Sequence, residues 1–339
     1  MRFSFFAIIP IGIIALSSIF LVVVNAFTLF LYTTKKRVNK NVQLFFTLAF
    51  GGIGAFFGIC LTKQKTRNLK IIVAIGIFIV LIPIVHIVHG LTLDRIIRYV
   101  EIEFRSVNWP PTLNGYRIAF MTDFHVMTDD NMRKVATELN NRDLDLLILG
   151  GDFSMRYDHY RGTIREISKI ITNDGIFGVA GNHDSHQRLF RAKEQYGITL
   201  LDNSGVHILD GFYLAGVQDL MRRHPCVSTA MANAYANDFA LLVTHNPDVS
   251  MQQPTDGINL ILAGHTHNGQ IAFFGLPIYL LMGTITDYGM RFGYGFAYSA
   301  DGVPVFTSSG IGVYYALPRI FSRPEVVIFT MYAEMSGES

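Results

Sequence analysis

The sequence predicts an α/β domain with its functional groups at strand ends, preceded by an N-terminal helical transmembrane region. Three observations carry this reading. Residues 1–93 hold three long, uncharged apolar runs. The remainder alternates short apolar runs with segments of helical periodicity, the pattern of parallel strands joined by crossovers. Five of those later runs end in Asp, Asn or His, at the strand ends where open α/β sheets place their ligands.

The apolar runs are residues 3–32, 42–61 and 71–93. About twenty apolar residues cross a bilayer, so each is long enough to span. The first is too long for a signal-peptide core and lacks a small-residue cleavage site before its basic flank. Gly51, Gly52, Gly54 and Gly58 would allow close helix contact in the second. His86 and His89 lie near the end of the third, where an interfacial position outweighs an intramembrane role. Lys35, Lys36, Arg37 and Lys40 in the first loop cancel Lys63, Lys65, Arg67 and Lys70 in the second. Arg95, Arg98 and Arg105 outnumber Arg2, which leans the C-terminal domain toward the cytoplasm. The expectation is a multi-pass protein of the cell membrane, with the lipid bilayer as a partner.

Half of the 339 residues are apolar, 16% are charged and the net charge is +2. No basic field points to nucleic acid. Cys60 and Cys226 make no disulfide framework.

Residues 94–115 read as a linker. Its first part, 94–105, alternates charged and apolar residues and suits either a juxtamembrane helix or a first edge strand. Trp109-Pro110-Pro111 stops any helix. Trp109 suits a membrane interface or a place under the first strand of the domain.

The domain proper is residues 116–339. Residues 116–121, 144–149 and 175–180 read as buried strands, separated by helices at 130–140 and 160–171. Met132, Val135, Ala136 and Leu139 form the apolar face of the first helix. A third helix is expected near 187–196. Further strands follow at 212–217, 239–244, 260–263, 305–308 and 326–331. The strand ends deliver Asp123 and His125, Asp152, Asn182, His245, and His265 with His267. Singly, each has an ordinary explanation: Asp123 as a helix cap, Asp152 as a turn residue. Together, two Asp, one Asn and four His suit manganese, zinc or iron better than calcium or magnesium, which prefer oxygen shells. The supply exceeds one ion and suits a two-metal site with a bridging carboxylate.

In order, these pieces are Asp-x-His, Gly-Asp, Gly-Asn-His-Asp, a lone His and Gly-His-x-His. This series resembles the calcineurin-like metallophosphoesterase superfamily over about residues 112–332. The resemblance implies a four-layer α/β/β/α sandwich with a dinuclear centre of two divalent metal ions at the strand ends. It implies that Asp123, His125 and His267 bind one ion, that Asn182, His245 and His265 bind the other, and that Asp152 bridges. It implies His183 as a general acid held by Asp184. The tail around Asn268-Gly269-Gln270, Ser309-Gly310-Ile311-Gly312, Pro318-Arg319 and Pro324-Glu325 is similar to a membrane-associated bacterial phosphodiesterase-like branch. That branch usually has Gly at the position of Asn268. Met155 stands where the superfamily often has a second Asp. A related membrane-bound branch cleaves the pyrophosphate of UDP-diacylglucosamine.

The function expected is hydrolysis of a phosphodiester or pyrophosphate bond at the membrane. Two cations would make hydroxide available from a bridging water and bind the phosphoryl oxygens. His183 would protonate the leaving oxygen. Arg319 suits either phosphate recognition or a surface loop. His186, His207 and His224 read as exposed. The apolar segment 271–282, just past the His pair, suits an acyl chain of a lipid-linked substrate or a core strand pair. The competing reading is a non-catalytic membrane sensor or scaffold on the same fold.

Overall fold

The structure, a computed structural model, describes residues 96–153, 157–185, 195–273, 276–277, 285–313 and 319–334, with isolated positions between 81 and 92. The chain divides into two compact units, Met1–Ile87 and Val88–Ser339. The expected spans 3–32 and 42–61, and all but a few positions of 71–93, lie outside the described residues. Among the described residues no helix is long and apolar enough to cross a membrane.

The second unit opens with β1 (Arg98–Ser106), so of the two readings of 94–105 the edge strand is observed. It pairs in parallel with β14 (Glu325–Ala333) from Arg98↔Glu325 to Ser106↔Ala333. Ile102 and Phe104 lean on the core while Glu101, Glu103 and Arg105 are exposed. Charges along an exposed strand discourage pairing with another chain. Trp109 is buried, its Nε1 donating to the Leu113 carbonyl and its ring against Tyr116, Phe212 and Phe239.

Next come β2 (Tyr116–Met121), helix α1 (Asp129–Leu139), β3 (Leu146–Leu149), helix α2 (Tyr157–Ile167), β4 (Ile176–Gly178) and β5 (Ile198–Leu200). The Thr128 hydroxyl accepts from Asn131 N at the start of α1. Asp129 and Asp130 lie in its first turn, favourable toward the helix dipole. Its buried face is Met132, Val135, Ala136 and Leu139, as the periodicity requires. The expected helix at 187–196 falls largely outside the described residues. The first sheet has the order β1-β14-β2-β3-β4-β5, antiparallel only between β14 and β2.

The second sheet takes β6 (Ser204–Leu209), β7 (Phe212–Gly216), β8 (Phe239–Val243), β9 (Leu260–Ala263), β12 (Gly295–Tyr298) and β13 (Pro304–Thr307). Its order is β12-β13-β9-β8-β7-β6, and β7, β8, β9 and β13 run parallel. A small hairpin pairs β10 (Ala272–Phe273) with β11 (Leu276–Pro277), so the described part of 271–282 is a strand pair.

Alternation along the strands builds the layers. Ile118, Phe120, Leu146 and Ile148 meet Phe212, Leu214, Leu241, Val243, Leu260 and Leu262 between the sheets. The alternate residues Ala119, Met121, Leu147 and Leu149 pack with Met132, Val135, Leu139, Ile164 and Ile167 of α1 and α2. On the far side Tyr213, Ala215, Leu242 and Ile261 pack with residues of two single-turn helices, α3 (Val227–Ala230) and α4 (Val249–Gln252). Because the strands are covered on both faces, they read as unbroken apolar runs. The parallel strands bring their carboxyl ends to one edge, where the candidate residues emerge.

Candidate metal centre

Asp123 and His125 follow β2, Asp152 follows β3, Asn182 to Asp184 follow β4, His245 follows β8, and His265 and His267 follow β9. Five of these residues hold left-handed backbone: Asp123 (φ 58), His125 (φ 38), Asp152 (φ 57), His265 (φ 71) and His267 (φ 53). Such a conformation costs a non-glycine residue about 1–2 kcal/mol. It persists only where the surroundings fix it, and it collects at functional sites. Here the strand-end loops fix one another. Asp123 N donates to Gly151 O at 2.9 Å, and His125 N to Asp152 O at 3.1 Å. Gly181 and Gly264 allow close approaches at the centre, since a Cβ on either would overlap the Asp152 or the Asp123 carboxylate.

The side chains converge in two groups that share Asp123. Asp123, His125 and His267 form one; Asp123, Asp152 and His245 form the other; each group keeps its ligand atoms within 4.8 Å of one another. His125 Nε2 and His267 Nε2 stand 2.9 Å apart, and His267 Nε2 lies 3.3 Å from Asp123 Oδ1. Asp152 Oδ2 of the second group lies 3.3 Å from His245 Nε2 and also 3.4 Å from His125 Nε2 of the first. His245 Nδ1 lies 2.7 Å from the Gly150 carbonyl, an acceptor, so Nδ1 carries the hydrogen. That leaves His245 Nε2 facing Asp152 Oδ2 and, at 3.0 Å, Asn182 Oδ1. A nitrogen lone pair facing two oxygens needs a cation or a proton between them. Likewise His265 Nε2 lies 3.1 Å from the Ile285 carbonyl, which leaves Nδ1 as the basic nitrogen. Backbone and carbonyl partners of this kind orient metal-binding imidazoles. Asp123 Oδ1 is buried and accepts no hydrogen bond. These residues therefore fit a metal.

The electrostatics agree. Burial would raise Asp123 and Asp152, but the imidazoles outweigh it and hold both carboxyls well below the usual range. Burial would also lower His245, yet the Asp152 and Asp123 carboxylates hold it well above its usual value. His265 and His267 are lowered, chiefly by burial, and His267 further by the charges of His125 and Arg319. The centre is thus a buried pair of carboxylates set among basic nitrogens.

His183 is half-buried and belongs to neither donor group. Its ring stands 5.4 Å from that of His125, and its backbone N donates to Asp152 Oδ1 at 2.8 Å. Burial is the main cause that lowers it. Asp184 departs from the expected contact with His183. Its Oδ2 accepts from Asp152 N and Gly181 N, and its Oδ1 from Phe153 N. Asp184 thus ties two ligand loops together and does not hold the imidazole. Burial and the Asp152 charge push its carboxyl up to about 7.

Arg319 is neither at the surface nor open to a substrate. It is buried, its Nε donates to Gly312 O at 2.7 Å, and its Nη2 lies 3.3 Å from His267 Nδ1. Ser322 Oγ donates to His267 O at 2.6 Å. The two together fix His267. His207 is tied to Asp238 at 2.8 Å, His224 is exposed and His186 lies outside the described residues. Asp219 was not singled out from the sequence, although it too follows an apolar strand, β7, and is fully buried.

Residues 116–269 match the family model of calcineurin-like phosphoesterases. An uncharacterised metallophosphoesterase of Bacillus subtilis, YkuE, is 26% identical, over 70% of this chain and 86% of its own length. An uncharacterised metallophosphoesterase of Helicobacter pylori is 25% identical over 63% of this chain, which spans only 58% of that relative. A Danio rerio protein named transmembrane protein with metallophosphoesterase domain is 26% identical over 84% of this chain and 69% of its own length.

Proposed function

We propose that the chain, whose residues 116–269 match the family model of calcineurin-like phosphoesterases and bring Asp and His metal-holding groups together, is a metal-dependent phosphoesterase that hydrolyses a phosphodiester or pyrophosphate bond at a two-metal centre. The observation that carries this reading is the position of Asp152 Oδ2, 3.4 Å from His125 Nε2 and 3.3 Å from His245 Nε2. Asp123, His125 and His267 would hold one ion and Asn182, His245 and His265 the other, with Asp152 common to both. Manganese, zinc and iron all suit this donor set.

Bound cations of that kind supply Lewis-acid polarisation of the phosphoryl group and hydroxide at neutral pH. The protein's own part is positional and protonic. The braced strand-end loops hold the donors in place before substrate arrives, so no reorganisation is needed during reaction. In hydrolysis an oxygen from water bonds to phosphorus and the ester P–O bond breaks. The departing oxygen keeps the bonding pair and would take a proton from His183. Asp184 contributes by keeping the Asp152 and Gly181 loops in register.

The substrate in this reading is attached to a lipid. Three apolar runs within residues 1–93 support a membrane location, and the Danio rerio relative is named a transmembrane protein. A lipid-linked phosphate diffuses in the plane where such a protein resides. The test uses the full chain in liposomes, manganese-loaded, with a lipid-linked pyrophosphate diester and its water-soluble headgroup analogue. A far higher kcat/KM for the lipid form is expected. Equal rates on both would end the lipid reading, and no cleavage of either, nor of simple phosphomonoesters and diesters, would end the phosphoesterase reading.

A further inference from the structure

Glu325, the first residue of β14, is fully buried and belongs to neither donor group. Its two oxygens accept four hydrogen bonds. Oε2 takes Arg98 Nη2 at 2.7 Å and the Tyr294 hydroxyl at 3.0 Å. Oε1 takes the Ser308 hydroxyl and Ser309 N, each at 3.0 Å. A carboxylate offers about four lone-pair sites, so this one is saturated. Burying its charge is costly unless it is paired and fully hydrogen-bonded, and Arg98 with the three other donors meets that need.

What Glu325 holds is the segment 308–313. The segment leaves β13 beside the strand that delivers His265 and His267, since Ser308 N donates to Ala263 O at 2.9 Å. Glu325 also donates through its own backbone N to Gly310 O at 3.0 Å. Ser308, Ser309 and Gly310 are thus fastened to one residue. From there the segment reaches each member of the first donor group. Ile311 N donates to Thr122 O at 2.9 Å and Gly312 N to Asp123 O at 2.8 Å. The approach is close, because a Cβ on Gly310 would press on the Asp123 side chain and one on Gly312 on the Phe124 carbonyl. Val313 forms a parallel bridge with His125. Gly312 O accepts from Arg319 Nε at 2.7 Å, and Arg319 Nη2 lies 3.3 Å from His267 Nδ1. Asp152 and His245 are braced from elsewhere, Asp152 by Asp184 and His245 by the Gly150 carbonyl.

We propose that Glu325 is a positioning residue for the ion held by Asp123, His125 and His267. It fixes the segment 308–313, and that segment fixes the three donors. This rests on the two-metal reading of the centre and deepens it, because it makes the two ions depend on different parts of the frame. Groups that orient metal donors in this way set metal affinity by about 10–100-fold.

The test titrates manganese into the metal-free full chain in detergent and reads the two binding steps by calorimetry. Thermal unfolding of each metal-free protein reports that it is folded. Glu325→Gln should weaken one ion at least tenfold and leave the other unchanged. In a His267→Ala background, where the first group has already lost a donor, Glu325→Gln should have no further effect on the remaining ion. If Glu325→Gln does not fold, Ser308→Ala replaces it, since it removes one of the four hydrogen bonds, and the same one-ion pattern is expected at smaller size. Equal weakening of both ions, no weakening, or weakening of the ion that remains in His267→Ala would overturn the positioning role. A wild type that binds one ion contradicts the two-metal reading, and the positioning role then stands only if Glu325→Gln weakens that ion. A wild type that binds no manganese contradicts both. Hydrolysis of bis-p-nitrophenyl phosphate by wild type is followed in parallel. The one-ion pattern without cleavage of that ester leaves the positioning role standing and contradicts the phosphoesterase reading.

Discussion

His183 separates a catalytic role from a metal-binding one more sharply than any other residue of the centre. It stands 5.4 Å, ring to ring, from His125 and outside both donor groups. His183→Ala should keep the metal content and lower turnover by about 10²–10⁴-fold, the usual worth of a general acid. The loss should shrink for a nitrophenol leaving group, which departs without a proton. Metal analysis beside the rate measurement checks this, and a collapse of metal content would make His183 a ligand. Most of the donor residues were legible in the sequence because each follows an apolar strand, a purely local signal. Arg319 was not, because its meaning lies in a contact with His267, 52 positions away. Asp184 was misread because its neighbour in sequence, His183, is not its partner. Its oxygens reach backward to Gly181 and across to the 152–153 loop.

At the scale of elements, strand ends govern stability as well as chemistry. Asp248 opens α4 three residues after His245 and is nearly fully buried. Burial, then the charge of Asp287, pushes its carboxyl up to about 6, against a hydrogen bond from Asp287 N. A carboxyl with a raised folded pKa keeps its proton in the folded state after the unfolded chain has lost it. Its contribution is therefore fully present below the unfolded value, near pH 4, and is lost as pH rises toward about 6. Asp248→Asn should flatten the fall of stability across that window, as read from denaturant midpoints at several pH values. An unchanged slope would show that Asp248 does not carry it. The central strands were legible as unbroken apolar runs, trimmed by a residue or two in the structure. The segment 94–105 was ambiguous because a charge-alternating sequence suits an edge strand or a surface helix equally. Only pairing with Glu325–Ala333 decides it.

At the scale of the molecule, the two sheets and their helices build a frame that holds strained donors at one edge. The layering was expected from the likeness of the motifs to a known family and not from local pattern. The sheet order β1-β14-β2 joins residues 227 apart, Arg98 and Glu325, which no short-range periodicity reveals. Metal binding should in turn stabilise the frame. An ion held at a thousand times its Kd adds about 4 kcal/mol, and each kcal/mol moves Tm by roughly 2–4 °C for a domain of this size. Removal of metal by a chelator should then lower Tm by on the order of 10 °C, reversibly on adding manganese; a Tm indifferent to the chelator would argue against tightly held ions. The most direct test of the dinuclear centre is elemental analysis of the purified full chain and of Asp152→Ala, both after reconstitution. About two transition-metal ions per wild-type chain and no more than one in Asp152→Ala is the expected result, because Asp152 Oδ2 lies within 3.4 Å of a histidine nitrogen of each donor group. One ion or fewer in the wild type, with no gain on reconstitution, would contradict the account.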